Sequence, residues 1–550
     1  MKAGHVQNED GSNYNLNNNT TKDVEPQKIF TEIDKNLDFL KYKYNALICN
    51  DVIIREFSLL AQNIEYKAFV MYIDGMVDSP VINEFILSPL MMRNRANIFD
   101  DKQKKFVSEE KIDNVTLKNF KKSKEKNLVD FIYNSLIPQN SVDKVTDFSD
   151  VYSAINMGNC MLFVDSLDTA FNLDVKGFKQ RNIDSPSNEV VVRGSQEAFV
   201  ENIRTNTSMI RRLVNNENLV METLTVGQIT KTQVSIGYIK SLANEDLVAE
   251  VRYRINNLSV DYLISSGQLE QLIQDSPESL FPQMVATERP DKVSNFLLEG
   301  RVIIIVNGSP YVLVAPGVFV DFITSPEDLN LKYQFSNMQK LIRLLAIFLS
   351  LLLPGMYIAI TNYHQELIPT ELLFTIAAAR ESVPFPTFVE ILLMEISFEL
   401  IREAGLRVPT PLGSTIGIVG ALILGEAAVS ASLVSPVLII IIAITGICSF
   451  SIPDFSLNFT FRIYRFIYII LGYVAGFLGI SVVLFIQLVI MCKLKSFGSP
   501  YINPYILNKN KRSISSYFIP PIWKRERTSV FLHAQKKFSQ KKISMVWRKK

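Results

Sequence analysis

Between Leu341 and Cys492 the chain carries three stretches too apolar and too poor in charge to sit on the surface of a globular domain, and they limit what it can fold into. Leu341 to Thr361 is 21 residues with one charge, Arg343, near its start. As a helix rising 1.5 Å per residue it reaches ~31 Å, close to the ~30 Å hydrocarbon core of a bilayer. Its internal Pro354-Gly355 predicts a kink, which a membrane helix tolerates. Leu412 to Ile452 runs 41 residues with a single ionisable group, Glu426. That is ~62 Å of helix, enough for two crossings, with SASLVSP (430–436) as the reversal point. Phe466 to Cys492 is 27 residues without a charge. Its ~40 Å is either one tilted span or a span broken at Gly476–Gly479, and one span is preferred because two would leave each half too short. The expected spans are therefore about 341–361, 412–430, 434–453 and 466–492.

The segment FPTFVEILLMEISFELIREAG (385–405) is apolar too, yet it carries Glu390, Glu395, Glu399, Arg402 and Glu403. Each charge at the bilayer centre costs ~2.5–3.5 kcal/mol on insertion scales, so a lipid-exposed span is excluded. The charges gather on one side of a helix. We expect an amphipathic helix lying at the interface or lining a polar cavity. Four spans, an even number, place both termini on the same side. From Lys493 to Lys550 there are fifteen Lys/Arg against one acid, Glu526, although the whole chain has a formal net charge of only +2. The positive-inside tendency puts this tail in the cytoplasm. Tyr517, Phe518, Trp523 and Trp547 interleave with its basic residues. Directly after a span, such a tail fits anionic membrane lipids and not nucleic acid.

Before the spans the composition is that of a soluble domain. Residues 1–28 form an Asn-rich leader with almost no apolar content, which is expected to be disordered. It has no signal-peptide core, so the following head is expected to stay cytoplasmic. From Ile29 on, runs at 68–75, 159–166, 219–226, 234–240 and 301–308 read as strands. Stretches at 56–66, 196–213 and 244–257 read as helices. This alternation predicts two α/β cytoplasmic subdomains, 29–180 and 181–330, divided near the turn-rich segment 177–188. A transmembrane domain (331–494) and a basic tail (495–550) complete an α+β multi-domain membrane protein. The four cysteines are far apart and form no metal or disulfide pattern, and no phosphate-loop, zinc-protease, nucleophile-elbow or dinucleotide motif is present. No catalytic residue, cofactor or metal is expected.

Two features carry functional expectation. In PTPLGSTIGIVGALILGEAAV (409–429), Gly413, Gly417 and Gly420 have the small-residue spacing that lets helix backbones approach closely in lipid. Glu426 follows in the same span, and an intramembrane carboxylate is a functional candidate by default. With Glu395 and Glu399 it is a candidate for lining or gating a cation path. In VVVRGSQEAFVENIRTNTSMIRRL (190–213), Arg193-Gly194-Ser195 precedes a helix. Ser195 is placed to cap that helix, or the three residues form a contact or anion site in the head.

These two segments, with PFPTFVEILLMEISFELIREAG (384–405) and KSFGSPYINP (495–504), resemble the A subunits of spore germinant receptors, in order from about Leu37 to Pro504. The resemblance implies a non-enzymatic protein of the inner spore membrane. It implies a transporter-like B subunit that binds the germinant, a lipoprotein C subunit, and assembly of A subunits into a homo-oligomeric, nutrient-gated ion channel. A related stage V sporulation membrane protein shares the architecture. A transporter or flippase subunit is a further alternative, against which stands the lack of an inverted repeat.

Overall fold

The computed structural model describes residues 28–61, 64–91, 128–177, 186, 189, 191–407, 425–502, 518–519, 521–524 and 535. Nearly all of the Asn-rich leader, most of the 177–188 boundary, Gly413, Gly417 and Gly420, most of the 412–430 span and most of the basic tail lie outside these residues.

The head opens with helix α1 (Ile33–Lys43) and a long hairpin, β1 (Val52–Ala61) and β2 (Ile64–Ile73). The expected helix over 56–66 is thus wrong. VIIREFSLLA and IEYKAFVMYI pair along their whole length, from Val52 opposite Ile73 to Ala61 opposite Ile64. Both arms are rich in β-branched and aromatic residues, which suit a half-buried pleated surface better than a helix. After helical segments at 79–91 and 128–136 come β3 (Val142–Val145), α2 (Phe148–Asn156), β4 (Cys160–Val164) and β5 (Ala170–Leu173). The sheet order is β1-β2-β4-β5-β3, every pair antiparallel.

A second unit repeats this plan. Helix α3 (Ile203–Leu213) leads into β6 (Leu219–Val226) and β7 (Thr232–Ile239), then α4 (Glu245–Asn256), α5 (Ser266–Ile273), β8 (Val285–Thr287), α6 (Pro290–Glu299), β9 (Val302–Val306) and β10 (Val312–Ala315). The order β6-β7-β9-β10-β8 is again fully antiparallel. Both sheets are built from hairpins plus one edge strand, not from parallel crossovers. This corrects the α/β reading to α+β, because short connections join neighbouring strands antiparallel. One continuous core packs Phe69, Met71 and Phe163 of the first sheet and Phe148 and Val151 of α2 with Val234, Ile236 and Ile304 of the second. Arg211 and Asp51 form an ion pair between the units, with one contact at 2.8 Å.

Below the second sheet stands a helical bundle: α7 (Tyr333–Tyr363), α8 (Thr370–Arg380), α9 (Thr387–Arg407), α10 (Pro436–Phe450) and α11 (Phe455–Lys493). The helices α7 and α11 are long and apolar enough to cross a membrane, whereas α10 is shorter, at 15 residues. The expected tilted span at 466–492 is corrected. Gly476 has φ +57° and ψ −138°, which is not helical, and the chain folds back there. Tyr468 Oη lies 2.7 Å from Gln487 Oε1, although a straight helix would hold these residues ~28 Å apart. The first leg begins at Phe455, so 21 residues precede Gly476. That is ~31 Å, long enough to span. Excluding Arg462 and Arg465 from the stretch made that leg seem too short.

The bundle is welded to the head. Ile303, Ile305 and Val314 on the lower face of the second sheet share a core with Leu351, Phe461, Tyr464 and Tyr468. Near the start of α7, Arg343 pairs with the fully buried Asp328 at 2.7 and 3.1 Å and donates to Ile323 O. At the end of α11, Ser496 Oγ donates to Gln283 O at 2.5 Å, and Phe319 N donates to Tyr501 O at 2.9 Å. Both ends of the bundle therefore sit on the head.

Candidate functional site

Helix α9 is built inside out. Val389, Leu393, Ile396 and Leu400 are exposed, one turn or so apart on the outer face, while Glu390 and Glu395 are fully buried. An interfacial amphipathic helix turns its charges to water. This one turns Glu390, Glu395 and Glu399 into the protein, where each meets a cation, and leaves only Glu403 exposed near its end. Glu395 Oε2 accepts from Arg465 Nη1 at 2.9 Å, with both side chains buried. Glu399 Oε1 accepts from Arg462 Nε at 3.0 Å, and its other oxygen from Arg462 Nη2. Glu390 Oε1 lies 3.6 Å from Arg380 Nη2, and its Oε2 accepts from Ser435 N at 3.1 Å. Arg402 Nη2 donates to Ser449 Oγ, and its guanidinium lies 4.7 Å from the Phe450 ring centre.

Local sequence explains why Arg465 stands where it does. Pro354 cannot donate to the carbonyl four residues back. That carbonyl is Ser350 O, and Arg465 Nε supplies the missing bond at 2.9 Å while Nη2 reaches Ser350 Oγ at 2.9 Å. Helices α7 and α11 approach each other closely at glycines. A Cβ on Gly355 would lie 2.8 Å from Tyr468 O, and one on Gly472 would lie 2.8 Å from Gly355 O. At the far end, Tyr363 Oη donates to Tyr473 O and Val474 O beside the reversal at Gly476.

Of the residues singled out in sequence, Glu395 and Glu399 come together in this seam. Glu426 does not join them; it is exposed in the helical stretch 425–430. Arg193, Gly194 and Ser195 form a contact inside the chain. Ser195 O accepts from the buried Arg289 at 2.8 Å, Asn330 Nδ2 donates to Arg193 O at 3.3 Å, and a Cβ on Gly194 would lie 2.9 Å from Asn330 Nδ2. Ser195 does not cap α3. Asn202 does, accepting from Arg204 N at 2.9 Å and Thr205 N at 3.3 Å. The loop instead ties the second head unit to the residues just before α7. Sequence reasoning missed the partners Arg380, Arg462 and Arg465. The readable signal was Arg462-Ile-Tyr-Arg465, two arginines three apart, which share a helix face. Among the described residues no group of three or more His, Cys, Asp and Glu is placed to hold a metal.

A two-unit antiparallel head, fused to an apolar bundle whose charges pair inward, defines a class of protein in which a folded head is coupled to membrane-type helices. The comparisons with known proteins make this specific. Residues 38–530 match the family model for the Bacillus/Clostridium GerA spore germination protein. The chain is 38% identical to spore germination protein KA of Bacillus subtilis over 94% of this chain and 90% of that one. It is 39% identical to spore germination protein GerLA of Bacillus cereus over 66% of this chain and 74% of that one. Among solved structures, the N-terminal domain of the A subunit of the Bacillus megaterium spore germinant receptor GerK3 is similar at 30% identity, covering 53% of this chain and 97% of that one with a TM-score of 0.37. The chain belongs to the GerA family of spore germination proteins.

Proposed function

We propose that this chain is the A subunit of a nutrient germinant receptor in the inner spore membrane. There the bundle spans the bilayer and copies assemble into a gated ion channel. The observation that carries the reading is α9. Its outward face carries Val389, Leu393, Ile396 and Leu400, and Glu390, Glu395 and Glu399 are paired with arginines within the subunit, which is how a charged helix stays in lipid. A transporter-like B subunit senses the germinant and a lipoprotein C subunit completes the complex. In the resting subunit Arg465 and Arg462 hold Glu395 and Glu399 away from any path between copies. Gating then exchanges these pairs. The loop at Arg193–Ser195 and the Arg343–Asp328 pair carry motion between head and bundle.

The test compares spores carrying Glu395→Gln, Glu399→Gln or Glu426→Gln at matched protein levels and follows potassium efflux after germinant. Altered release rate with either of the first two supports the reading. Normal rate and selectivity in all three removes these carboxylates from gating.

A further inference from the structure

A cleft of 660 Å³ opens where α11 leaves the bundle for the head. That volume falls within the ~300–1,000 Å³ of small-molecule sites. One wall is α4 with the loop at Asp275, and the other is the chain from Lys493 to Pro500. The second wall is fixed in place. Asp275 accepts from Phe497 N at 2.6 Å and from Arg254 Nη2, and the Arg254 guanidinium lies 4.4 Å from the Phe497 ring centre. These contacts hold Phe497 at φ +45°, which a bulky residue rarely adopts, with its ring in the core of the head. The wall belongs to KSFGSPYINP, a segment that the charge seam of α9 does not use.

The charges of the cleft are sorted by wall. Arg254 engages both Glu250 and Asp275. Lys493 and Lys495 on the bundle side and Asp246 on the head side are exposed and make no ion pair among the described residues. Lys493 also ends an apolar stripe. Val482, Phe485, Ile486 and Val489 are exposed on the second leg of α11, and at ~100° per residue they share an arc of ~100° with Lys493. From Val482 to Lys493 is ~16 Å, about the depth of one leaflet of a ~30 Å hydrocarbon core.

We propose that the stripe and the cleft form a site for one phospholipid whose headgroup ends in a primary ammonium, an ethanolamine lipid. An acyl chain lies along Val482 to Val489, Lys493 and Lys495 hold the phosphate, and Asp246 accepts from the ammonium beyond it. A purely anionic headgroup would set negative charge against Asp246, and a choline headgroup has no N–H to donate. The inference rests on the bundle spanning a bilayer, as proposed above, but not on ion conduction.

The test is native mass spectrometry of the full chain released from nanodiscs of phosphatidylcholine containing equal amounts of phosphatidylethanolamine and phosphatidylglycerol. Wild type should retain phosphatidylethanolamine in preference to both others. Lys493→Ala with Lys495→Ala should lower that retention ~10-fold or more, as the loss of charge-assisted hydrogen bonds implies. Asp246→Asn should abolish the preference over phosphatidylglycerol while keeping total lipid. Lys332→Ala, an exposed lysine before α7, should change nothing. Excess soluble phosphoethanolamine should leave the lipid in place, because it lacks the acyl contact. Equal retention of the three lipids by wild type, equal loss in Lys332→Ala, or displacement by phosphoethanolamine would overturn the site. Entry into the nanodisc is read separately by size-exclusion chromatography. A chain that does not enter fails the spanning reading, and one that enters without selecting the ethanolamine lipid fails this one.

Discussion

Arg465 answers two local problems at once. It replaces the hydrogen bond that Pro354 cannot give to Ser350 O, and it neutralises the buried Glu395. Arg465→Leu leaves both an uncompensated carboxylate and an orphan carbonyl. Breaking a buried pair from one side costs ~3–5 kcal/mol, so this variant should lower thermal stability in detergent by that order. Adding Glu395→Leu should recover much of the loss, since no buried charge is then left without its partner. Strict additivity of the two substitutions would show that the pair is not coupled. A second residue sets a pH response in the head. Burial, reinforced by the Asp454 carboxylate, raises Glu270 from 4.5 to about 7. A raised acid keeps its folded-state advantage below its unfolded value and loses it as pH climbs through the folded one. The chain should therefore lose up to roughly 3 kcal/mol between about pH 4.5 and 7, and little further above that. Glu270→Gln should flatten that slope in thermal unfolding at matched ionic strength. An unchanged slope would mean that the carboxyl is solvated.

At the level of elements, α11 is the segment whose reading decides the architecture. The reversal at Gly476 uses a backbone conformation that L side chains rarely adopt, and such strain costs ~1–3 kcal/mol per residue. Gly476→Leu should therefore destabilise the bundle. Cysteines at 468 and 487, in a background lacking the native cysteines, should be joined by a bis-maleimide of ~10 Å reach, whereas a straight helix would hold them ~28 Å apart. No crosslink would restore the single-span reading. The helical hairpin was partly legible, since a break at Gly476–Gly479 stood as the alternative to one tilted span. What hid it was the boundary at Phe466, drawn to keep Arg462 and Arg465 out of the span. A charge penalty computed for lipid does not apply to a side chain that finds its partner on the next helix, and that pairing is not visible in one sequence. The same blind spot left α9 as an amphipathic helix either at the interface or lining a polar cavity. Its periodicity showed the charges on one side, but not that this side faces inward. In the head, β2, β4, β6, β7 and β9 were readable from apolar runs. The β1–β2 hairpin was not, because EFSLLAQNIEY fits a helical period as well as a strand pair.

At the scale of the whole molecule, both ends of the bundle are bound to the head. Helix α7 starts on it through Arg343 and Asp328, and the second leg of α11 returns to it through Ser496 and Tyr501. The far end of α7, near Tyr363, meets the reversal at Gly476. In a bilayer this places the head and the residues after Leu494 on one side and the 364–367 turn on the other. In the proposed topology that shared side is the cytoplasmic one, as expected for the basic tail. The arrangement is testable without any ion flux. With Cys49, Cys160, Cys448 and Cys492 replaced by serine, single cysteines go in at exposed positions, as Tyr253→Cys in the head, Glu366→Cys in the turn and Lys495→Cys after the bundle. A membrane-impermeant maleimide applied to intact, right-side-out vesicles should label Glu366→Cys alone. Tyr253→Cys and Lys495→Cys should label together, and only after the membrane is opened. Helix-bound anchoring at both ends leaves no freedom for one of these two to change sides without tearing Ser496 from Gln283 and unpacking Tyr501 from Phe281 and Phe322. Labelling of Lys495→Cys from outside, with Tyr253→Cys protected, would mean that the bundle does not return to the head in the membrane.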